Sequence, residues 1–148
     1  NELYEDIDER RARRVLNEWS LGDFADRAYG TLSDGEKKRT QIARAVMADP
    51  ELLLLDEPVA SLDLAAREET LQLLGEYAKS PSAPAMVMVT HHLEEIPRGF
   101  THALLLTEGS VFAAGPIDST ITSEKISEAY GLSIEVHNEA GRFTAKAR

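Results

Sequence analysis

The apolar positions along this chain recur at two spacings, and these divide it into predicted helices and strands. Residues 3–18 carry Leu3, Ile7, Val15 and Leu16 among many charges, which predicts a helix. A loop follows from about Leu21 to Tyr29. Ser33 and Glu36 then stand at capping-box spacing, opening a helix to about Ala48 that Asp49-Pro50 stops. Leu52-Leu53-Leu54-Leu55, ending in Asp56-Glu57-Pro58, reads as a central parallel strand buried on both faces. Asp63 predicts the cap of a third helix to about Lys79, with Leu64, Arg67, Leu71, Leu74 and Ala78 at helical spacing. After a Ser80–Pro84 turn, Ala85–Thr90 predicts a second buried strand, ending at His91-His92. Leu93–Ile96 predicts a short helix or turn closed by Pro97.

The last third changes character. Ala103–Thr107 and Ser110–Ala114 predict a hairpin across Glu108-Gly109. Thr122–Tyr130 predicts a helix ended by Gly131, and Ser133–His137 with Arg142–Ala145 a small hairpin. Strand–helix–strand alternation up to residue 92 implies a parallel α/β sheet, followed by an antiparallel, peripheral part.

Composition narrows the function classes. Hydrophobic residues at 43% and charged residues at 28% make disorder over the whole length an unfitting description. The net charge of -10 disfavours non-specific nucleic-acid binding. With no cysteine, disulfides, thiolate metal sites and cysteine nucleophiles are excluded. No apolar run approaches the roughly 20 residues a membrane-spanning helix needs. The acidic N-terminus is no signal peptide, and it lacks a starting Met, which suits a fragment of a longer protein. Arg10, Arg11, Arg13 and Arg14 read as a phosphate or partner site, or as a solvated helix face balanced by Glu2, Glu5, Asp6, Asp8 and Glu9. The i,i+4 pairing favours the solvated face.

Three places could carry chemistry. Active sites in open α/β sheets lie beyond the carboxyl ends of the strands. Asp56 and Glu57 sit at such an end, where one carboxylate can hold Mg²⁺ and the other can orient and deprotonate a water. A strand that simply ends at polar residues accounts for them equally well. His91, at the end of the second strand, could donate a hydrogen bond to a phosphate oxygen; taken alone, a helix-capping or core histidine is the plainer account. A zinc site at His91-His92 is disfavoured, because adjacent side chains diverge and no third ligand is near. The helix opening at Ser33 offers free N–H groups to an anion, with Gly35 permitting close approach. A plain capping box explains Ser33 and Glu36 without a ligand.

Taken together, the motifs are far more specific than each alone. Leu32-Ser33-Asp34-Gly35-Glu36, Leu52 to Glu57, Ala60-Ser61-Leu62-Asp63 and Thr90-His91 follow one another in an order and spacing that resemble the nucleotide-binding domain of the ABC ATPase family. By this resemblance Ser33, Asp34, Gly35 and Glu36 form the signature, Leu52 to Asp56 the Walker B strand, Glu57 the catalytic glutamate, Ser61 and Asp63 part of the D-loop, and His91 the switch histidine. It covers about residues 3–115. Residues 121–147 more loosely resemble C-terminal extensions of metal, haem and cobalamin importer ATPases. Thr90 to Ile96 resembles the molybdate-linked, photorepair-type branch.

The resemblance implies an α/β fold: part of a P-loop NTPase (RecA-like) parallel sheet with flanking helices and a small antiparallel C-terminal part. The Walker A portion is absent. None of the five lysines (Lys37, Lys38, Lys79, Lys125, Lys146) follows a glycine, so the sequence contains no Gly-x-x-x-x-Gly-Lys-Ser/Thr loop. The expected organisation is residues 1–48 as the end of a helical signature subdomain, 49–117 as part of the catalytic core and 118–148 as a C-terminal extension. The implied function is MgATP hydrolysis driving a membrane transporter. Asp56 would bind Mg²⁺ and Glu57 would activate water. His91 would contact the γ-phosphate, and the signature would act across a head-to-tail dimer with a second ABC ATPase domain. Integral membrane permease subunits are the implied partners, no nucleic acid is expected, and the implied location is the cytoplasmic face of the membrane. Without the lysine loop, these 148 residues alone are expected to be inactive. Two alternatives stay open: a soluble repair- or translation-type ABC ATPase, and a non-enzymatic chain that supplies its signature face to another subunit's ATP. Asp34 and Glu36 depart from the family's usual Gly and Gln, which bears on the strength of transition-state stabilisation.

Overall fold

The computed structural model describes residues 2–148, with side chains from Glu5 onward. The chain divides into two compact units, Asn1–Val89 and Thr90–Arg148.

The first unit opens with helix α1, Glu2–Glu18. The side chain of Leu3, an expected apolar position, lies outside the described residues. Ile7 is exposed, so α1 packs through its last turns, where Val15 and Leu16 meet the core. Its arginines lie on a solvated face: Arg13 pairs with Glu9 at 3.0 Å and Arg10 Nε donates to the Asp6 carbonyl. Two single-turn 3₁₀ segments, Gly22–Phe24 and Tyr29–Thr31, give the predicted loop a structure that its sequence did not signal. Helix α2, Asp34–Met47, starts from the Ser33 cap. Strand β1, Leu52–Asp56, leads through a loop to helix α3, Leu64–Ala78, which returns to strand β2, Ala85–Val89. β1 and β2 pair in parallel, with Leu52 opposite Ala85 and Asp56 opposite Val89. The core joins Trp19 and Leu21 to Ile42 and Val46 of α2, Leu53 and Leu55 of β1, and Leu74 of α3.

Three readings of burial need correction. The first is β2, expected as a buried strand, which leaves Val87 and Val89 about half exposed. β1 is buried on one face only: Leu53 and Leu55 point into the core, whereas Leu52 and Leu54 are 50% and 68% exposed. Residues of α1, α2 and α3 pack on the side that Leu53 and Leu55 face. Leu64, expected on the buried face of α3, is exposed, and Thr70, Leu71, Leu74 and Gly75 form that face instead.

The second unit begins with the His91-His92 turn and the 3₁₀ segment Leu93–Glu95. The hairpin of β3, His102–Thr107, and β4, Ser110–Pro116, turns at Glu108 and Gly109, both at positive φ, as a tight two-residue turn requires. A short helix that the sequence did not predict, α4 (Ile117–Thr120), precedes α5 (Ser123–Tyr130), which ends at Gly131 in the left-handed region at φ 64°. Strands β5, Ile134–Glu139, and β6, Arg142–Ala147, form the last hairpin. Ile121, Ile126 and Phe143 are the centre of this unit's core. The fold is thus mixed α/β, with one parallel and two antiparallel strand pairs among the described residues.

Candidate functional site

Asp56 is the last residue of β1 and is exposed, so its carboxylate stands in solvent at the rim of the core. The ladder does not stop there. The Glu57 amide donates to the Val89 carbonyl at 2.9 Å, extending the parallel pairing one residue beyond the strand. Glu57 itself lies at φ 45°, a region a glutamate rarely occupies. The chain turns sharply there, and the Ala60 amide returns to the Glu57 carbonyl at 3.2 Å. Strain of this kind costs about 1–3 kcal/mol and is held in place by the surrounding structure. Here the β2 hydrogen bond and the buried Pro58 and Val59 do so. A shallow cleft of about 190 Å³ adjoins Asp56, with Lys38, Gln41 and Leu54 on its walls.

Ser61 is the second strained residue of this loop, at φ 65°. Two residues later Asp63 caps α3, its Oδ1 accepting the Ala66 amide at 2.8 Å. One carboxylate oxygen of Asp63 is therefore committed to the helix.

Ser33 and Glu36 form a complete capping box. Ser33 Oγ accepts the Glu36 amide at 3.2 Å, and Glu36 Oε2 accepts the Ser33 amide at 2.8 Å. The Ser33 hydroxyl keeps its proton for a further acceptor. The Glu36 carboxylate sits at the positive end of the α2 dipole, so it competes there with an incoming anion. Asp34 is exposed. Gly35 has a structural reason of its own: a Cβ there would lie 2.8 Å from Ala66 Cβ, so only glycine lets α2 approach α3 this closely.

The sequence reading missed what fixes this approach. Arg39, one turn beyond Gly35, is almost wholly buried and donates from Nη1 to Glu69 Oε2 at 2.9 Å. Glu69 lies one turn beyond Ala66, so glycine contact and ion pair clamp the starts of α2 and α3 together. The available signal was an arginine on the inward face of a helix, four residues after a glycine.

In the second unit His91 is exposed, at the start of a turn organised by its neighbour. The Thr90 hydroxyl donates to the buried Glu95 carboxylate and accepts the His92 amide at 3.1 Å. Asp56, Glu57, Ser61 and Asp63 thus share the β1–α3 segment, Ser33 to Glu36 begin α2, and His91 belongs to the other unit.

The family model described as ABC transporter matches residues 1–60. An uncharacterized ABC transporter ATP-binding protein of Bacillus subtilis is 47% identical, over 85% of this chain and 48% of that protein. A hemin import ATP-binding protein of Roseobacter denitrificans is 37% identical, over 83% of this chain and 49% of its own length. Among solved structures, CbiO1 of Clostridium perfringens, part of the ABC transporter complex CbiONQ, matches with a TM-score of 0.72 and 27% identity, over 84% of this chain and 49% of that one. The chain spans about half the length of the curated relatives it matches.

Proposed function

Because the chain belongs to the family of ABC transporter ATP-binding proteins, we propose that it carries the signature and water-activating part of a subunit that hydrolyses MgATP to drive transport. The observation that carries this reading is the end of β1. Asp56 leaves the strand into solvent, and Glu57 is turned aside at φ 45° with its amide still bonded to Val89. Two adjacent carboxylates at a strand end, with a sharp backbone turn at the second, suit separate ion-holding and water-activating roles.

Asp56 would hold Mg²⁺. That ion takes oxygen donors, usually one or two carboxylates with phosphate oxygens and waters. A single exposed carboxylate at a strand end fits this donor set, and no cluster of three His, Asp or Glu side chains lies among the described residues to hold a metal alone. When bound, the ion neutralises charge on the phosphates. Glu57 would orient the attacking water and take its proton. The Ser33 hydroxyl and the first-turn amides of α2, with Asp34, Gly35 and Glu36 around them, would face the γ-phosphate of ATP held by a second, head-to-tail domain. His91 would donate a hydrogen bond to that phosphate's counterpart on its own side. Ser61 and Asp63 would link the two sites. Catalysis in this scheme is positioning and charge stabilisation.

The similarity to an import ATP-binding protein favours an importer of a small substrate, with membrane permease subunits as partners at the cytoplasmic face. No described helix is long and apolar enough to cross a membrane. Lacking a lysine-bearing phosphate loop, the chain alone would bind MgATP weakly and turn it over negligibly. Micromolar MgATP affinity for it in titration calorimetry would contradict this. The central test is Glu57→Gln in a subunit that joins this sequence to a phosphate-binding loop. Turnover should fall about a hundredfold or more while ATP binding persists; unchanged turnover would refute the assignment.

A further inference from the structure

The turn that carries His91 is held from two sides. Within the turn, the Thr90 hydroxyl joins the buried Glu95 carboxylate to the His92 amide, and the Glu95 amide donates to the His92 carbonyl at 3.1 Å. From outside, the C-terminal hairpin grips the adjacent glutamate. Arg142 Nη2 donates to the Glu94 carbonyl at 2.8 Å, and the Ala145 amide donates to Glu94 Oε1 at 3.2 Å. Leu93 and Ile96 flank this pair and pack toward Phe143, which is 2% exposed. The two consecutive glutamates therefore do opposite things: Glu95 turns inward to the histidine turn, and Glu94 outward to β6.

A carboxylate buried as deeply as Glu95 costs free energy unless it is hydrogen-bonded. Its partner is the residue immediately before His91. Leu93–Glu95 is a single 3₁₀ turn, too short to hold its shape by helical hydrogen bonding alone. Something tertiary must fix it: Leu93 and Ile96 pack on the core of Ile121, Ile126 and Phe143, and β6 adds the two polar contacts.

We propose that Thr90 and Glu95 are positioning residues for His91, and that the β5–β6 hairpin, through Arg142 and Ala145, is the brace that keeps their turn in place. The C-terminal part thus has a role in the ATP site without touching ATP. This rests on the reading of His91 as the phosphate-contacting histidine, but the brace can be tested apart from it. The chain itself is labelled and the His91 ring cross-peaks are followed by NMR. Thr90→Val keeps the side chain's shape and removes the hydroxyl; Arg142→Ala removes the outer contact. Both should shift or broaden the His91 ring peaks while the Ile126 methyl peaks stay in place, and Thr90→Ser should restore them. His91 peaks unmoved in a folded Thr90→Val or Arg142→Ala variant overturn the proposal, as does uniform loss of all peaks of the unit in Thr90→Val. If Arg142→Ala does not fold, Arg142→Lys replaces it, and parental His91 peaks in that variant overturn the brace equally. In a subunit with a phosphate-binding loop, Thr90→Val should lower kcat about tenfold or more with KM for ATP little changed. His91→Ala in the same subunit tests the underlying reading: undiminished turnover there removes the histidine's role, whatever the ring spectra show of the brace.

Discussion

The geometry of Ser33 lets an observed role and a proposed one be separated. The residue caps α2 through the Glu36 amide, and its hydroxyl is the proposed contact to a partner's phosphate. Ser33→Ala should cost about 1 kcal/mol of stability through the lost cap. Ser33→Asp restores a cap of similar quality but places a carboxylate where the phosphate would sit. Denaturant unfolding followed by the fluorescence of Trp19, the one tryptophan, should therefore find Ser33→Asp close to the parent. In a subunit with a phosphate loop, its turnover should nonetheless be lost. Retained turnover in Ser33→Asp would reduce Ser33 to a cap. The capping box was legible in the sequence because its partners are three residues apart. The positive φ of Glu57 and Ser61 was not. Nothing in a glutamate or a serine announces the left-handed region; at Glu57 the β2 hydrogen bond and the buried Pro58 and Val59 hold it.

At the scale of elements, helices were read more reliably than burial. Ser33 and Asp63 each cap the helix their position announced, and Thr122, expected as a first helical residue, caps α5, all through local hydrogen bonds. Whether β1 has one covered face or two depends on elements elsewhere, and four leucines in a row cannot say. Helix α3 offers a pH test. Burial first, then the charges of Asp49 and Glu18, push the Tyr77 hydroxyl above its ordinary value of 10.0. The folded state therefore disfavours tyrosinate. Below about pH 10 Tyr77 is neutral folded or unfolded and its contribution to stability is intact. As pH rises further, the unfolded chain releases this proton first, so that contribution is lost through the raised folded value. Its ring meets Trp19 edge-on at 5.5 Å. Trp19-monitored unfolding across about pH 9 to 11 should show declining stability that is shallower in Tyr77→Phe. Identical slopes would mean the decline belongs to other groups.

For the molecule as a whole, the telling feature is the outer face of the β1–β2 pair. Leu52, Leu54, Val87 and Val89 are each about half exposed or more, and Leu54 stands directly opposite Val87. Contiguous exposed apolar surface with unpaired strand edges favours association. The isolated chain should sediment as concentration-dependent oligomers in analytical ultracentrifugation, and Leu54→Lys should shift it toward monomer. A monodisperse parent chain throughout the micromolar range would count against this.

Sequence alone carried the family resemblance and the order of the candidate site residues, because both are written in local motifs: a cap, a strand ending in two carboxylates, a histidine after a threonine. It also determined that no lysine loop lies within these residues. Tertiary structure decided the rest. Gly35 against Ala66 with Arg39 on Glu69, and Arg142 and Ala145 on Glu94, join positions 30 or more residues apart. Such contacts leave no spacing to read, because packing rather than periodicity brings their partners together.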